Sequence, residues 1–448
     1  LKGFASKSER QILDGLSIAT QVSKRLRIDQ VERLVYPLRS HFQDCPAVEQ
    51  LEFAGSFRRG KETVGDLDIL VVSQDPSAVM DHLEAFPGRI STTARGDTRM
   101  SVRVESQFQV DLRVVPAESF GAALQYFTGS KDHNVAIRSR ARRMGLSVNE
   151  YGVTEVDGEQ LPSSGRTEEQ LYRRLGLHWI PPELREGRQE IHWADKDGSF
   201  PDLLTPEDVI ADLHMHTTAS DGSNSIEQMM MGASSRGLQY IAITDHSKRV
   251  SMARGLDESR LLQQWTEIDR INATRAIDLR VLKGVECDIL ESGPLDIADE
   301  VLAQADWVIA SVHYGQKQSR QQITDRIIGA LSNPHVDLIA HPTGRLLGSR
   351  LPYEVDLQAV FQAAAQYRKG LELNASPYRL DLSEQDLMQA VAQGIPIAIN
   401  TDAHSIEGLD AMRYGVVQAR RAGLSRSMVI NTWPPAKLIG GLNRDKSL

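Results

Sequence analysis

Histidine and acidic residues recur after apolar runs in the second half of the sequence, a pattern that indicates a metal centre. His214 and His216 follow an apolar lead-in two residues apart, so on a strand both side chains point to one face. Similar residues follow or end the later apolar runs: Asp221, His246, Glu286, His313, His341, Asp402 and His404. This set is too large for one ion, and three ions with shared ligands would use it fully.

Such a cluster suits the hydrolysis of phosphate esters. One ion polarises the phosphoryl oxygen, and another lowers the pKa of a bound water. Imidazole combined with carboxylate favours zinc, manganese or iron over magnesium. The alternative is that these are ordinary surface or core histidines.

Three aspartates in the first half form a second candidate site. Asp66 and Asp68 share one face of a predicted strand, and Asp111 lies on a neighbouring apolar strand. Like charges beside a core are unfavourable unless they are paired or bind a metal. An all-oxygen site suits Mg²⁺, and two such ions could activate a hydroxyl and stabilise a pyrophosphate leaving group. The alternative is that the aspartates are salt-bridge partners of Arg58, Arg59 and Arg113.

A Gly-Ser pair upstream of these aspartates favours the metal interpretation. Gly55 allows close approach of the backbone, and Ser56 with neighbouring amides could hold a phosphate, to which Arg59 adds positive charge.

The elements that carry these residues differ between the two halves. Residues 9–40 predict two short helices, residues 51–73, 102–104 and 108–115 predict strands, residues 117–146 return to helix, and residues 147–180 form an irregular region with helix 167–175. Beyond a predicted linker, apolar runs are each followed by a helical segment: 209–215, 239–244, 279–287, 306–312, 336–340, 370–374 and 395–400. Seven strand–helix units predict a closed α/β barrel, whose chemistry would sit where strands end.

Composition limits the class of protein. At 448 residues two or three domains are expected, and no apolar run approaches the ~20 residues of a membrane helix. The start lacks a signal peptide and an initiating Met, so we expect that an N-terminal part is missing. Cys45 and Cys287 fit a reducing cytoplasm.

Charge gives a mixed indication about nucleic acid. The net charge of −9 argues against non-specific coating of nucleic acid. Basic clusters occur at residues 24–27, 58–61 and 138–143, and they are either solvated faces or contacts to a duplex.

The histidine-bearing runs resemble the PHP (polymerase and histidinol phosphatase) domain over about residues 205–448. The matching runs are DLHMH at 212–216, ITDH at 243–246, GVE at 284–286, SVH at 311–313, AHP at 340–342 and NTDAH at 400–404. The resemblance implies three ion sites: one held by His214, His216, Glu286 and Asp402, a second by Glu286, His313 and His341, and a third by Asp221, His246 and His404.

The aspartate-bearing runs, GSFRRG at 55–60 and GDLDILV at 65–71, resemble the nucleotidyltransferase superfamily. The run QYFTGSKDHN at 125–134, which includes Gly129, narrows the resemblance to family X DNA polymerases, and WIPPELR at 179–185 is similar to the end of their thumb. The resemblance implies Tyr126 and Phe127 near the nucleotide sugar, Asn134 at the minor-groove edge of the base and Arg138 toward the template. The alternative for residues 126–134 is a helix start with aromatic core residues.

Together the two matches resemble bacterial family X DNA polymerase with a C-terminal PHP domain. Residues 1–10 resemble only the tail of that family's N-terminal lyase-like and helix-hairpin-helix region. The implied fold is α/β and multidomain, with a nucleotidyltransferase-type polymerase core and a distorted (β/α)7 PHP barrel. The implied parts are helical fingers at 1–44, a mixed-sheet palm at 45–116, an α+β thumb at 117–184, a linker at 185–206 and the PHP phosphoesterase barrel at 207–448.

The implied function is DNA repair, by gap-filling nucleotidyl transfer and metal-dependent 3′-5′ exonuclease or phosphoesterase activity. We expect Mg²⁺ or Mn²⁺ at the aspartates and a three-ion cluster of Zn²⁺ and/or Mn²⁺ at the histidines. The expected partners are DNA with gapped or recessed 3′ ends and deoxynucleoside triphosphates. We expect no membrane partner, and we expect the protein to be a cytoplasmic monomer. One alternative is a nuclease or 3′-phosphatase whose polymerase-like half only docks DNA, and another is a DNA-end scaffold with vestigial sites.

Overall fold

A computed structural model describes residues 25–155, 165–195, 198–274 and 277–441. The chain divides into two compact units between Pro201 and Asp202, within the predicted linker. The first of the two helices predicted over residues 9–40 lies outside the described residues. Residues 1–10, which resemble the tail of the family's N-terminal region, also lie outside them. The finer domain boundaries at residues 44, 116 and 184 stay predictions.

A five-stranded mixed sheet forms the centre of the first unit. The strands of this unit are β1 Leu26–Arg27, β2 Gln50–Phe53, β3 Thr63–Val64, β4 Asp66–Val72, β5 Ser91–Arg95, β6 Arg99–Arg103, β7 Gln109–Val115, β8 Leu146–Asn149 and β9 Gly152–Glu155. The strands of the central sheet run in the order β2-β4-β7-β6-β5, and β4 and β7 are parallel while the other neighbours are antiparallel. Strands β1 and β3 form a separate antiparallel pair.

Helices cover this sheet with apolar stripes of helical period. Helix Ile28–Gln43 buries Val31, Leu38 and Phe42 against the sheet core. The other helices are Gly55–Arg58, Pro76–Glu84, Phe120–Thr128, Lys131–Arg143, Glu168–Arg174 and Glu190–Trp193. The predicted helical segment 117–146 is interrupted at Gly129, after which the Ser130 hydroxyl accepts a bond from the amide of His133 at 3.2 Å.

The predicted irregular region 147–180 contains an antiparallel hairpin that the sequence reasoning missed. Strands β8 and β9 pair across a tight turn, where the Asn149 side chain accepts a bond from the amide of Tyr151 at 2.9 Å. The alternation of Leu146 and Val148 on β8 was the available signal for this hairpin.

The first part of the predicted linker 185–206 packs into the first unit. Arg185 is fully buried, and its Nη2 donates to Glu168 Oε2 at 3.0 Å while its Nε donates to the carbonyl of Ile180 at 2.8 Å. Glu190 is also buried, with Oε1 at 2.8 Å from His133 Nδ1. Polar composition suggested a linker, but these charges are paired inside the unit.

Seven parallel strands form a nearly closed barrel in the second unit, as predicted. They pair in chain order: β10 Ala211–Asp212, β11 Tyr240–Ile243, β12 Arg280–Asp288, β13 Trp307–Ser311, β14 Leu338–Ile339, β15 Gly370–Asn374 and β16 Ile397–Asn400. Backbone bonds join the two ends of the sheet, because the amide of His216 donates to Ala403 at 2.8 Å and the amide of Asp402 donates to His214 at 3.0 Å.

The strand pleat divides the barrel residues into two sets. Side chains such as Leu282, Trp307 and Leu338 form one buried cluster and share strand parity with Glu286, which places that cluster inside the barrel below the carboxyl ends. The other face packs against the helices Ile226–Ser234, Glu258–Thr274, Asp299–Leu302, Arg320–Ser332, Leu357–Tyr367, Glu384–Ala392 and Met412–Arg421. Helix Pro435–Gly441 instead contributes Leu438 to the cluster inside the barrel. Among the described residues, no helix has the length and apolarity needed to cross a membrane.

The buried ion pair of Glu168 gives a test of the first unit. We expect Glu168→Gln to lower the free energy of unfolding of this unit by about 3–5 kcal/mol, because Arg185 is left buried without its counter-charge. Urea denaturation measures the change. The control Asp81→Asn, at an exposed ion pair with Arg95, should leave the midpoint nearly unchanged. Equal effects of the two substitutions would show that the buried pair is not structurally important.

Candidate active sites

The nine predicted histidine and carboxylate ligands all lie at the carboxyl ends of the barrel strands. His214 and His216 follow β10, and Glu286 lies near the end of β12. His214, His216 and Glu286 have no exposed surface. Because parallel strands end at one rim, residues far apart in the sequence meet there.

Two histidines face each other across one carboxylate. His214 Nε2 and His216 Nε2 are 3.2 Å apart, and they lie 3.4 and 3.1 Å from Asp402 Oδ1. Two imidazole nitrogens this close to the same oxygen have the arrangement of ligands around a shared cation.

Glu286 lies between four of the histidines. Its Oε1 is 3.0 Å from His341 Nε2 and 3.4 Å from His313 Nε2. Its Oε2 is 2.7 Å from His246 Nδ1 and 3.5 Å from His214 Nε2. A carboxylate in this position can bridge neighbouring ions.

Asp221 lies on a loop after β10, close to His404 and His246. Its Oδ1 is 3.4 Å from His404 Nε2, and its Oδ2 is 3.6 Å from His246 Nε2. His216 stacks on His246 and His404, with ring centroids 4.3 and 4.2 Å apart.

Three groups of ligand atoms have the spacing of metal sites, within 4.8 Å of one another. They are His214, His216 and Asp402; His246, Glu286 and His313; and His216, Asp221, His246 and His404. The grouping differs from the predicted sets, since His246 joins Glu286 and His216 joins Asp221. The assignment of ligands to individual ions stays a prediction.

The three aspartates of the first unit also converge. Asp68 on β4 is the register partner of Asp111 on the parallel strand β7, and Asp66 shares the face of Asp68. Burial, reinforced by the charges of Asp66 and Asp111, raises the pKa of Asp68 to about 7. Gln109 Nε2 donates to Asp111 at 2.8 Å, and the Ser101 hydroxyl also donates to it.

Gly55 has the role predicted for it in close backbone approach. Its φ is +63°, and a Cβ atom there would lie 2.2 Å from Asp68 Oδ2. The short helix Gly55–Arg58, which includes half-buried Ser56, therefore begins in contact with the aspartates.

The arginines of this region are paired elsewhere. Arg58 Nη1 lies 2.7 Å from Glu168 Oε1, and Arg59 Nε donates to Glu186 at 3.0 Å. Arg58 is therefore paired away from the aspartates. The positive charges of Arg113 and Arg59 lower the pKa of Asp68, against the larger effects of burial and of the neighbouring acids.

The predicted nucleotide-contacting run spans the end of one helix and the start of the next. Asn134 Nδ2 donates to the carbonyl of Tyr126 at 2.8 Å, and Arg138 Nε donates to the carbonyl of Asn134 at 3.2 Å. The ring centroids of Phe127 and Tyr126 are 5.1 Å apart in an edge-to-face arrangement. The Arg113 guanidinium lies 4.5 Å from the centre of the Phe127 ring. Gly129, with φ +69°, makes the break between the helices.

Comparison with known proteins covers both units. Family models match the DNA polymerase beta palm at residues 25–116, the DNA polymerase beta thumb at 123–186 and the PHP domain at 212–376. "DNA polymerase/3′-5′ exonuclease PolX" of Bacillus subtilis (strain 168) is 42% identical over 434 residues, which are 96% of this chain and 75% of that protein. The chain belongs to the PolX family. The resemblance and the fold class expected from the sequence are confirmed.

Other relatives match about half of this PolX chain or less. A protein named "Probable phosphatase" from Thermoanaerobacter sp. (strain X514) is 30% identical over 235 residues, 50% of this chain and 91% of that protein. A second of that name, from Acetivibrio thermocellus, is 31% identical over 204 residues, 44% of this chain and 79% of that protein.

The domains of the PolX family imply dependence on divalent metal ions. The donor atoms of the barrel rim fit such ions. Among the described residues, His216 Nδ1 and His341 Nδ1 are buried without a hydrogen-bond partner, which is unfavourable unless a ligand satisfies them. The donor set of imidazole and carboxylate matches zinc or manganese.

Electrostatics at the rim balance acids against imidazoles. Burial raises the pKa of Glu286, but His313, His246 and His214 outweigh it and hold the pKa well below its usual range. Burial, with His246 and His404 nearby, lowers the pKa of His216 to about 4, so this imidazole is neutral and can act as a ligand.

Glu372, which the sequence reasoning missed, orients two of the ligands. This fully buried carboxylate accepts a bond from His214 Nδ1 at 2.8 Å and from the amide of His341 at 2.6 Å. Asn374 donates to Asp402 Oδ2 at 3.1 Å and so orients a further ligand. The available signal was an acid two residues before Asn374 on an apolar strand.

Asp288 and Arg379 were also missed. Asp288 Oδ1 lies 3.1 Å from His313 Nδ1, and Arg379 Nε lies 3.4 Å from Asp402 Oδ2. Asp288 follows Glu286 by two residues on β12, a spacing that places both on one face. Arg379 lies in a loop beyond β15, where no periodic pattern could indicate it.

The rim opens into a cavity of 530 Å³. Its wall includes seven of the predicted ligands, together with Arg379 and a set of apolar residues. The ligands are therefore accessible to a molecule of nucleotide size.

Glu372→Gln tests the role of the hydrogen-bonded carboxylate. We expect the affinity of the barrel for Mn²⁺ or Zn²⁺ to fall by about 10- to 100-fold, because His214 loses the acceptor that fixes its orientation. Competition with a chelator measures this affinity. Glu354→Gln, at an exposed glutamate, is the matched control and should retain wild-type affinity. Wild-type affinity in Glu372→Gln would contradict the assigned role.

Proposed function

We propose that this chain extends DNA primers at the aspartates of its first unit and hydrolyses 3′-terminal nucleotides or phosphates at its barrel rim. The meeting of imidazole and carboxylate groups at the rim and the pairing of Asp68 with Asp111 across neighbouring strands carry this proposal, and membership of the PolX family supports it. DNA and deoxynucleoside triphosphates are the substrates that the family implies, and gapped or recessed 3′ ends are the proposed form of the DNA.

In the first unit, Asp66, Asp68 and Asp111 would hold Mg²⁺ or Mn²⁺. Such ions supply activation of a 3′-hydroxyl and stabilisation of a pyrophosphate leaving group. Gly55 keeps the backbone close to Asp68, and Ser56 with the adjacent amides is proposed to hold the triphosphate. Tyr126, Phe127, Gly129, Asn134 and Arg138 are the proposed contacts to nucleotide and template, with Arg59 joining them on release from Glu186.

In the second unit, the nine rim residues would hold a three-ion cluster of Zn²⁺ and/or Mn²⁺. These ions supply polarisation of the phosphoryl oxygen and a water of lowered pKa. Arg379 lines the cavity, and among the described residues its buried Nη1 has no hydrogen-bond partner. This guanidinium is proposed to donate to a phosphoryl oxygen and to exclude uncharged esters.

Each set of ligands is complete within one chain, which supports a monomer as the active form. Cys45 and Cys287 are buried and unpaired, which supports a reducing compartment, and we propose the cytoplasm.

Phosphatase activity on small esters is a second candidate for the barrel. The relatives named "Probable phosphatase" match half of this chain or less but most of their own length, which favours this candidate. The alternative expected from the sequence is a nuclease or 3′-phosphatase whose polymerase-like unit only docks DNA, and in that case a primer-extension assay at enzyme excess would show no added nucleotide.

Selective substitution in each unit tests the two-site proposal. We expect Asp111→Ala to reduce nucleotide insertion by more than ~100-fold and to spare 3′-end hydrolysis. The loss should be large because Asp111 would bind the metal directly, and replacing a direct ligand reduces activity more than replacing a residue that hydrogen-bonds to a ligand. Asp402→Ala should have the converse effect. Primer extension and 3′-end degradation are measured on one gapped substrate, and exposed Asp97→Ala is the control. Full insertion by Asp111→Ala would refute the polymerase assignment.

The raised pKa of Asp68 predicts a pH dependence of metal use. With a pKa of about 7, this carboxyl is mostly ionised at pH 8 and mostly protonated at pH 6, and a proton competes with the ion. The Mg²⁺ concentration for half-maximal insertion should therefore rise about tenfold between pH 8 and pH 6. A titration of Mg²⁺ at both pH values measures it, and equal half-maximal concentrations would count against the shared site.

A further inference from the structure

One wall of the hydrolytic cavity is apolar, although the rest of it carries charged ligands. Met252 is 91% exposed and lines this cavity, together with Val250, Ala253 and Tyr314. A single exposed methionine is ordinary on a protein surface. Here, however, four apolar or aromatic side chains share the cavity with Glu286.

The loop that carries Met252 is held firmly beside a metal-ligand residue. It starts directly after His246 and closes on itself, because the amide of Leu256 donates to His246 at 2.7 Å and the amide of Gly255 donates to Val250 at 3.1 Å. A Cβ atom at Gly255 would lie 2.0 Å from the Ser247 carbonyl oxygen, so the loop is as tight as glycine permits. Met252 therefore has a defined position relative to His246.

Tyr314 is fixed from a different element. It follows His313, and the Arg249 guanidinium lies 4.4 Å from the centre of its ring. Arg249 is itself held by Glu291, with Nη2 at 2.5 Å from Oε1, and by a bond from its amide to Asp296 at 2.7 Å. The anchored guanidinium supports the aromatic ring at the cavity wall, which limits the entropy lost when a ligand packs against it.

The chemistry of the site indicates what would contact this wall. A phosphoryl group belongs with the imidazoles, the carboxylates and Arg379, and a sugar is polar. In the 3′-terminal nucleotide, the base is the part with an apolar face, and thioether and phenol side chains are suitable surfaces for it. We propose that Met252 and Tyr314 bind the base of the DNA 3′-terminal nucleotide, an inference that rests on the proposed 3′-end hydrolysis.

This contact determines specificity between 3′ ends. A terminus that has a base gains the packing against Met252 and Tyr314, and a terminus without a base does not. One base contact of this kind corresponds to roughly 5- to 150-fold in kcat/KM. The site would thus favour intact nucleotides over abasic sugars joined by the same phosphodiester bond.

The test compares two DNA primers that differ only at the terminal residue, a normal nucleotide or its tetrahydrofuran abasic analogue. Hydrolysis of each by the full chain loaded with Mn²⁺ gives a ratio of kcat/KM. We expect the wild-type ratio to favour the normal nucleotide roughly 5- to 150-fold and to fall to near one in Met252→Ser with Tyr314→Ser. Met231→Ser, at a 53% exposed methionine on helix Ile226–Ser234, is the matched control and should keep the wild-type ratio.

Two results would overturn the inference while leaving the proposed function intact. One is a wild-type ratio near one, and the other is a wild-type ratio that persists in the double variant. If wild type hydrolysed neither primer, the proposed function itself would fail, and the base site would fail with it.

Discussion

Buried acids in this protein need positive charge close to them, and the rest of the barrel rim depends on that constraint. Glu286 has no exposed surface, yet it stays ionised because imidazoles surround it. Parallel strands make the arrangement possible, since each contributes its ligand at the same end. Closure of the sheet between His216 and Ala403 then places the first and last ligands on one rim. Removing the opposing charge would leave an unpaired carboxylate in the core, which is strongly unfavourable.

The first unit meets the same constraint in a different way. Its three aspartates have no histidine among them, and the pKa of Asp68 rises to about 7 because this carboxyl is buried and its neighbours are also acidic. Such a site is neutralised by protons until oxygen-binding cations and substrate phosphates supply the charge. The barrel rim already contains basic groups and soft nitrogen ligands. The two units therefore suit different ions and different steps of phosphate chemistry, the formation of a phosphodiester and its hydrolysis.

The sequence predicted the convergence of these residues because their positions follow from strand geometry. His214, Glu286 and Asp402 each stand at the end of an apolar run, and parallel strands bring such ends together. The features that the sequence did not predict depend on packing between residues far apart in the chain. The link between Glu372 and His214 joins residues 158 apart, and the pairing of Arg185 with Glu168 removes a polar stretch from the predicted linker. Hydrogen bonds of this kind leave no periodic trace in the sequence.

Anomalous X-ray diffraction from Mn²⁺-loaded crystals tests the central claim most directly. We expect manganese peaks at the barrel rim. Glu286 should contact more than one ion, and His214, His216 and Asp402 should surround one of them. Absence of a peak within bonding distance of Glu286, in crystals that bind manganese elsewhere, would contradict the claim that these side chains converge to hold cations.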